Sequence, residues 1–349
     1  MQTDFLQSLA GWQPPDSWRQ VTTIDCHTAG EPFRVITGGL PPLKGATILE
    51  RRRWFRENHD RLRTMLMWEP RGHADMYGCI VTEPVSRQAD LGVLFLHNEG
   101  YSTMCGHGII GLVTVVLETG MLPMQEPETC VRIDTPAGLV TAWGRCRNGR
   151  VTSVRFHNVA SFAPALDRSV QVPGLGKVDY DLAFGGAFYA FVDAGRLGLD
   201  TGPAGFGELI RQGMAIKRAI MESTTIEHPL EPDLGFLYGT IFTSARAGGQ
   251  IHSRHVCIFA EGEVDRSPTG TGVSARLAIL HRRGRLDREE EIVIESIIGT
   301  RFRGKIVATT TCGRYEAIIP EIEGSAHITG VHRFVVDPED PLARGFILR

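Results

Sequence analysis

Residues 105–122 read CGHGIIGLVTVVLETGML, and residues 269–286 repeat the pattern as TGTGVSARLAILHRRGRL. Each stretch has glycine at its second and fourth positions and continues as a helical run of mainly apolar residues. The repeat predicts a duplicated unit, with a glycine-opened helix at an equivalent place in each copy. The copies differ at their first position, where Cys105 in the first corresponds to Thr269 in the second.

The length of the chain also favours two domains. A chain of 349 residues exceeds the size at which one hydrophobic core usually stops growing. Strand-like runs of β-branched and apolar residues dominate both halves, which predicts an α+β protein. We expect residues 1–158 and 325–349 to form the first domain and residues 159–324 the second. We assign the C-terminal segment to the first domain because of one predicted strand, HRFVVD at residues 332–337.

Four segments have helical periodicity. The two that follow the repeated glycines are apolar around most of their circumference, which predicts helices enclosed by sheet. The four predicted helices cover residues 48–66, 109–119, 206–220 and 274–282.

Composition favours a small-molecule partner. A net charge of −3 and a pI near 6.5 give no electrostatic footprint for nucleic acid or an anionic membrane.

The N-terminal MQTDFLQSLAGWQPPDSW lacks a basic leader, and no stretch approaches the ~20 apolar residues of a membrane span. Seven scattered cysteines indicate reduced thiols. We therefore expect a cytoplasmic protein, and a homodimer would be a common outcome for a soluble enzyme of this size.

The chemistry is expected at the two glycine-opened helix starts. Cys105 directly precedes a helix N-terminus, where unpaired N–H groups and the helix dipole favour an anion, so we expect a lowered thiol pKa. The same N–H groups can bind a carboxylate. If the two halves face each other, one cleft would hold a small carboxylate between Cys105 and Thr269. His107 and Asp265 are close enough in sequence to orient or tune groups in that cleft.

Two other site types are disfavoured. GHGIIG and GTGVSA fit the G-x-G-x-x-G/A dinucleotide pattern, but Glu126 and Glu290 precede the following strands instead of ending them. Asp25-Cys26-His27 has no partners at the spacing of a four-ligand zinc set. We expect neither a nucleotide nor a metal.

Four motifs resemble the proline racemase family. They are MCGHG at 104–108, DRSPTGTGVSA at 265–275, IDCHTAGEPFRV at 24–35 and EPRGHADMYG at 69–78, and the resemblance extends over essentially the entire chain. It implies a diaminopimelate-epimerase-like fold with two pseudo-symmetric domains, each a mixed β-sheet wrapped around a central helix. It also implies an active site between the domains and no cofactor.

The second helix start departs from the family's racemases, which carry cysteine at both starts as one base for each face of the α-carbon. Cys105 matches the first cysteine, and Thr269 stands at the second. A threonine hydroxyl has no accessible anion near neutral pH, so it cannot be the partner base. The form with Cys first and Thr second resembles family members that eliminate water from trans-3-hydroxy-L-proline and give Δ1-pyrroline-2-carboxylate.

We expect a role for each site residue, and the role of Asp265 is the one that the resemblance implies. Cys105 would remove the α-proton and then, as a thiol, protonate the departing hydroxide, because both groups share one ring face in the trans-3-hydroxy isomer. Asp265 would bind the ring nitrogen as a cation. Thr269 would either hydrogen-bond the substrate or exclude water. The groups expected to hold the carboxylate are the backbone N–H groups of Gly106, His107, Gly270 and Thr271.

Two other functions stay open. One is racemisation or epimerisation of a proline derivative, with another group serving the second face. The other is a catalytically silent amino-acid-binding protein of the same fold. Four further residues are candidates for lining the cleft: His73, Asp75, Tyr77 and Tyr238.

Overall fold

The structure, a computed structural model, describes residues 11–245 and 251–348. The predictions made for residues 1–10 lie outside the described residues. The described residues form four α-helices: α1 (Ile48–Met67), α2 (Gly106–Glu118), α3 (Phe206–Ser223) and α4 (Gly270–Arg282). They also form eighteen strands: β1 (Arg19–Thr28), β2 (Glu31–Gly38), β3 (Tyr77–Thr82), β4 (Leu91–His97), β5 (Gly100–Ser102), β6 (Glu128–Thr135), β7 (Gly138–Arg147), β8 (Arg150–His157), β9 (Phe162–Val172), β10 (Gly176–Phe184), β11 (Phe188–Asp193), β12 (Leu237–Ala245), β13 (Ser253–Phe259), β14 (Glu263–Val264), β15 (Ile292–Glu295), β16 (Arg301–Cys312), β17 (Tyr315–Gly324) and β18 (Ala326–Val336).

The strands pair in the same sequence of steps in the two halves of the chain. In the first half, β1 pairs antiparallel with both β18 and β2, β2 pairs parallel with β3, and β3 pairs antiparallel with β4. Strand β4 also pairs parallel with β6, and β7 pairs antiparallel with both β6 and β8. In the second half, β10 pairs antiparallel with both β9 and β11, β11 pairs parallel with β12, and β12 pairs antiparallel with β13. Strand β13 also pairs parallel with β15, and β16 pairs antiparallel with both β15 and β17. An antiparallel pair between β8 and β17 joins the halves.

The C-terminal strand belongs to the first set. β18 pairs with β1 from Ala326 opposite Thr28 to Val336 opposite Arg19. It is longer than the predicted strand over 332–337. We propose the two sets of strands as the two domains, with the boundaries given above for the sequence.

Two helices lie inside the sheets. Every residue of α2 from Gly106 to Leu117 is buried, and most of α4 is buried in the same way. Because apolar side chains surround each helix, sheet has to cover it on several sides. The predicted α+β architecture, with a mixed sheet around a central helix in each half, is confirmed.

Both central helices begin earlier than their periodicity predicts. α2 starts at Gly106 and α4 at Gly270, three and four residues before the predicted starts. Glycine has a weak helix propensity, which hides the first turn from a reading of apolar spacing. As a consequence, Cys105 and Thr269 are the N-cap residues of the two helices.

The other two helices pack on the outer faces of the sheets. α1 begins with a capping box between Thr47 and Glu50, and its Phe55 and Leu66 join a cluster on the outer side of the first sheet. α3 places Ile216 in the equivalent cluster of the second half. No helix within residues 11–245 and 251–348 combines the length and apolarity needed to span a membrane.

Candidate active site

The two central helices meet at their N-termini. A Cβ atom added to Gly106 would lie 2.6 Å from Cα of Gly270, and one added to Gly270 would lie 2.8 Å from Cα of Gly106. These distances are well below van der Waals contact, so neither position has room for a side chain. The glycines allow the two backbones to approach directly, and this approach places Cys105 and Thr269 in one site.

A small closed cavity of about 20 Å³ lies at this meeting point. It holds about one water molecule, so a five-membered ring can enter only if the walls move apart. The predicted residues brought together in its wall are Cys105, Gly106, His107, Asp265, Thr269, Gly270 and Thr271. Tyr77 and Tyr238 also line it, as do four residues that the sequence did not single out: Met104, Tyr189, Cys257 and Phe259.

Two of the secondary candidates are not in the wall. His73 is exposed, and its Nδ1 lies 2.7 Å from the carbonyl oxygen of its neighbour Ala74. Asp75 is buried and binds Arg266, with Oδ2 2.7 Å from Nη1. Asp75 therefore holds the segment that follows Asp265.

The sulfur of Cys105 caps α2 from inside the cavity. Its Sγ accepts a hydrogen bond from the N–H of Gly108 at 3.2 Å and lies 3.4 Å from each ring nitrogen of His107. Burial raises the pKa of the thiol well above its ordinary value, and the charges of Asp265 and Glu31 add to this. The predicted lowering of this pKa is therefore wrong for the closed cavity, because desolvation outweighs the helix N-terminus.

His107 is an uncharged neighbour of the sulfur. Burial lowers the pKa of its imidazole, and the nearby Asp265 carboxylate opposes this only in part. Nδ1 lies 3.9 Å from Oδ2 of Asp265, and the ring of Tyr77 packs edge-on at 4.7 Å between centroids. A neutral imidazole fixed in this way can donate one hydrogen bond and accept another.

Asp265 belongs to a buried acidic group to which both halves contribute. Its Oδ1 accepts a hydrogen bond from the N–H of Ser267 at 2.7 Å. Next to it, Glu31 is fully buried, and its Oε2 accepts the N–H of Arg266 at 2.6 Å. Burial and the charge of Asp265 raise the pKa of Glu31 well above its ordinary value. The wall therefore suits a cationic group beside Asp265.

Thr269 has a strained backbone and a free hydroxyl. Its φ of +65° lies in the left-handed region, which costs a β-branched residue about 1–3 kcal/mol. The Oγ1 atom is buried without a hydrogen-bond partner among the described residues. Both features point to a constraint from the site, since a helix cap alone would use the hydroxyl on the helix N–H groups.

The cavity wall also carries a set of phenolic hydroxyls. The hydroxyl of Tyr77 is hydrogen-bonded to Oγ of Ser102 and lies 3.3 Å from the hydroxyl of Tyr238. On the other side, the hydroxyl of Tyr189 is 2.6 Å from Oγ1 of Thr271. In residues 11–245 and 251–348, no group of three or more His, Cys, Asp or Glu side chains is arranged to hold a metal ion.

Comparison with known proteins gives consistent results. A family profile described as "Proline racemase" matches residues 23–347. A protein of Colwellia psychrerythraea named trans-3-hydroxy-L-proline dehydratase is 45% identical over 341 residues, which cover 97% of this chain and 96% of that protein. A protein of Burkholderia multivorans named 3-hydroxyproline 2-epimerase is 46% identical over 331 residues, covering 95% and 99%. The crystal structure of a hydroxyproline epimerase from Agrobacterium vitis with bound trans-4-hydroxy-L-proline superposes with a TM-score of 0.91 at 35% identity, covering 95% of this chain and 96% of that one.

Proposed function

Since this chain belongs to the proline racemase family, we propose that it dehydrates trans-3-hydroxy-L-proline to Δ1-pyrroline-2-carboxylate. One observation carries the proposal: the closed cavity has a cysteine at one helix start and a threonine at the other. A site with a thiol on one flank and an alcohol on the other has a base for only one face of the α-carbon.

The substrate carboxylate belongs between the two helix starts. The first turn of an α-helix leaves its N–H groups without partners in the helix, and the dipole adds positive potential there. We assign the carboxylate to the N–H groups of Gly106, His107, Gly270 and Thr271. These donors are preorganised, so they can stabilise the negative charge that develops when the α-proton leaves.

The ring nitrogen belongs beside Asp265. A protonated imino nitrogen would offset a buried negative charge that raises the pKa of Cys105. Substrate binding would therefore favour the Cys105 thiolate, which the closed cavity alone disfavours. The cationic nitrogen also makes the α-carbon more acidic.

The elimination then proceeds on one face of the ring. The Cys105 thiolate takes the α-proton and becomes a thiol, and the electrons of that C–H bond form a double bond to the neighbouring ring carbon. The C–O bond on that carbon breaks, the departing hydroxide takes the proton from the Cys105 thiol and leaves as water, and the enamine tautomerises to the cyclic imine. Thr269, with its unpartnered hydroxyl, would hydrogen-bond the substrate from the opposite side.

The direct test is to incubate the protein with trans-3-hydroxy-L-proline and measure the cyclic imine, with trans-4-hydroxy-L-proline and L-proline as comparison substrates. We expect imine from the first alone. Cys105→Ser should lower the rate by about 10²–10⁴-fold, the usual contribution of a positioned base. Cys146→Ser is the matched control, because Cys146 is also buried but lies outside the cavity wall. An unchanged rate in Cys105→Ser would refute the assignment.

A second candidate function is epimerisation at the α-carbon. A relative named 3-hydroxyproline 2-epimerase is 46% identical, and a second thiol, Cys257, lines the cavity. Burial raises the pKa of Cys257 well above its ordinary value, as it does for Cys105, so the pKa does not distinguish the two thiols. Cys105 differs from Cys257 in being the N-cap residue of a helix that begins at the cavity. Exchange of the α-proton for deuterium with inversion of configuration would identify this activity.

We further propose a cytoplasmic location, a role in amino-acid degradation and a homodimer. The seven cysteines are all free thiols, which agrees with a reducing compartment. Light scattering on the purified protein would give the oligomeric state.

A further inference from the structure

The Tyr77 hydroxyl is the centre of a buried hydrogen-bonded group on the Cys105 side of the cavity. Tyr77 is on β3 and Ser102 on β5, in the same half as Cys105, and both side chains are buried. The Tyr77 hydroxyl contacts both Oγ of Ser102 and the hydroxyl of Tyr238. The phenol therefore has a fixed position in the wall.

The Tyr77 side chain is also close to the sulfur. Both residues line the cavity, and the ring of Tyr77 packs with its centroid 4.7 Å from that of His107, whose two ring nitrogens each lie 3.4 Å from the Cys105 sulfur. Tyr77 and Cys105 thus serve the same flank of any ring held in the cavity. On that flank the α-hydrogen and the 3-hydroxyl of trans-3-hydroxy-L-proline lie together.

We propose that Tyr77 is the acid that protonates the departing 3-hydroxyl group, an inference that rests on the proposed dehydratase function. Cys105 would then not have to remove one proton and deliver it again within a single step. This assigns two residues to two proton transfers on one face.

The proton and electron balance closes. The α-proton moves to the Cys105 sulfur, and the C–H electrons form the carbon–carbon double bond. As the C–O bond breaks, its electron pair stays on oxygen, which takes the Tyr77 proton and leaves as water. The Tyr77 phenolate then recovers a proton from the Cys105 thiol, and both residues return to their starting states.

A phenol is a stronger acid than water. An ordinary phenol has a pKa near 10, well below the pKa of water, which is the conjugate acid of the leaving hydroxide. Burial raises the pKa of Tyr77, which keeps the phenol protonated at neutral pH and narrows this difference. Ser102 and Tyr238 can both donate hydrogen bonds to the phenolate that forms.

The experiment compares two leaving groups in Tyr77→Phe, which keeps the ring and removes the hydroxyl. Hydroxide needs a proton to leave, whereas fluoride, the conjugate base of a far stronger acid than water, does not. We expect kcat for trans-3-hydroxy-L-proline to fall by about 100-fold or more, the usual contribution of a general acid. With trans-3-fluoro-L-proline, kcat should stay within about fivefold of the unmodified protein, the effect of a lost neutral hydrogen bond.

The comparison separates acid catalysis from other roles of the hydroxyl. If Tyr77 acts only by tuning Cys105 or by shaping the wall, both substrates will lose rate equally, because both require removal of the α-proton. Equal losses, or no loss for the hydroxy substrate, would overturn the inference. Tyr180→Phe is the matched control, since Tyr180 is a buried tyrosine outside the cavity wall, and it should leave both rates unchanged.

Failure of the wider proposal gives a different result. If the unmodified protein forms no cyclic imine from trans-3-hydroxy-L-proline, the dehydratase function itself is wrong. If it forms imine and Tyr77→Phe does so equally fast, only the assignment of the acid is wrong.

Discussion

Gly106 and Gly270 lie back to back, with space for only 2.6 Å between a Cβ on the first and Cα of the second. This contact brings the two helix N-termini together and closes the cavity. Because the cavity of about 20 Å³ is far smaller than the proposed substrate, its walls have to move apart for the substrate to enter.

Gly106→Ala is expected to hold the two helix starts apart. The methyl group would meet backbone atoms of Gly270, which cannot turn aside as a flexible side chain could. A displacement of this kind near reacting groups typically costs about 100-fold in rate, so we expect a comparable fall in kcat/KM.

Gly207→Ala is the control for this substitution. Gly207 is in α3, is exposed, and has open space around its Cβ position. Its replacement should leave kcat/KM unchanged and raise the free energy of unfolding by up to about 1 kcal/mol. Full activity in Gly106→Ala would show that direct contact of the helices is not needed.

The pH dependence should reflect the raised pKa of Cys105. In the closed cavity the thiol is protonated at neutral pH, so kcat/KM should rise with pH up to and beyond the ordinary thiol value of 9.0. The profile of kcat should rise at lower pH, because the bound ring cation favours the thiolate. A kcat/KM profile that is flat above pH 7 would contradict the raised pKa. In Cys105→Ser, the part of the pH profile that rises because of this thiol should be absent.

Thr269→Cys is expected to add a base on the second face. In the presence of trans-3-hydroxy-L-proline and deuterated water, this variant should form some product inverted at the α-carbon. Thr269→Ser, which keeps a hydroxyl, should form none. Chiral chromatography with mass detection measures both. Absence of inversion and of second-face exchange in a folded Thr269→Cys protein would count against the facing geometry.

Ionisation of Glu31 should lower the free energy of unfolding as pH rises. Its folded-state pKa is raised, so the folded protein holds this proton more tightly than the unfolded chain does. The contribution of Glu31 to the free energy of unfolding is therefore fully present below its pKa in the unfolded chain, about 4.5, and declines as pH rises toward its pKa in the folded protein. Glu31→Gln removes this titration and can still accept the N–H of Arg266. Its Tm should exceed that of the unmodified protein increasingly between pH 5 and pH 8, and an equal or lower Tm at pH 8 would contradict the sign.

Local patterns in the sequence predicted the central helices and the residues around them. The glycine repeats located Cys105 and Thr269 because a duplicated helix start is a local feature of the chain. The sequence pattern does not predict the outer strand β9, because FAPALDRSVQV contains a proline and charged residues and lacks a run of β-branched residues. Antiparallel pairing with β10 holds this segment as a strand, although its own composition does not favour one.

The rest of the site depends on long-range packing. Tyr189 and Cys257 are on β11 and β13 and reach the cavity through the pairing of both strands with β12 in the sheet of the second half. The raised pKa of Cys105 was missed for the same reason. A helix N-terminus can be read from sequence, but the desolvation that overrides it comes from residues far along the chain.

In the proposed mechanism, the bound imino acid meets a base on one face alone. The most direct measurement is the product distribution from trans-3-hydroxy-L-proline in deuterated water, followed by chiral chromatography and mass spectrometry. We expect cyclic imine and no hydroxyproline inverted at the α-carbon. Formation of the inverted hydroxyproline as the main product, without imine, would contradict it.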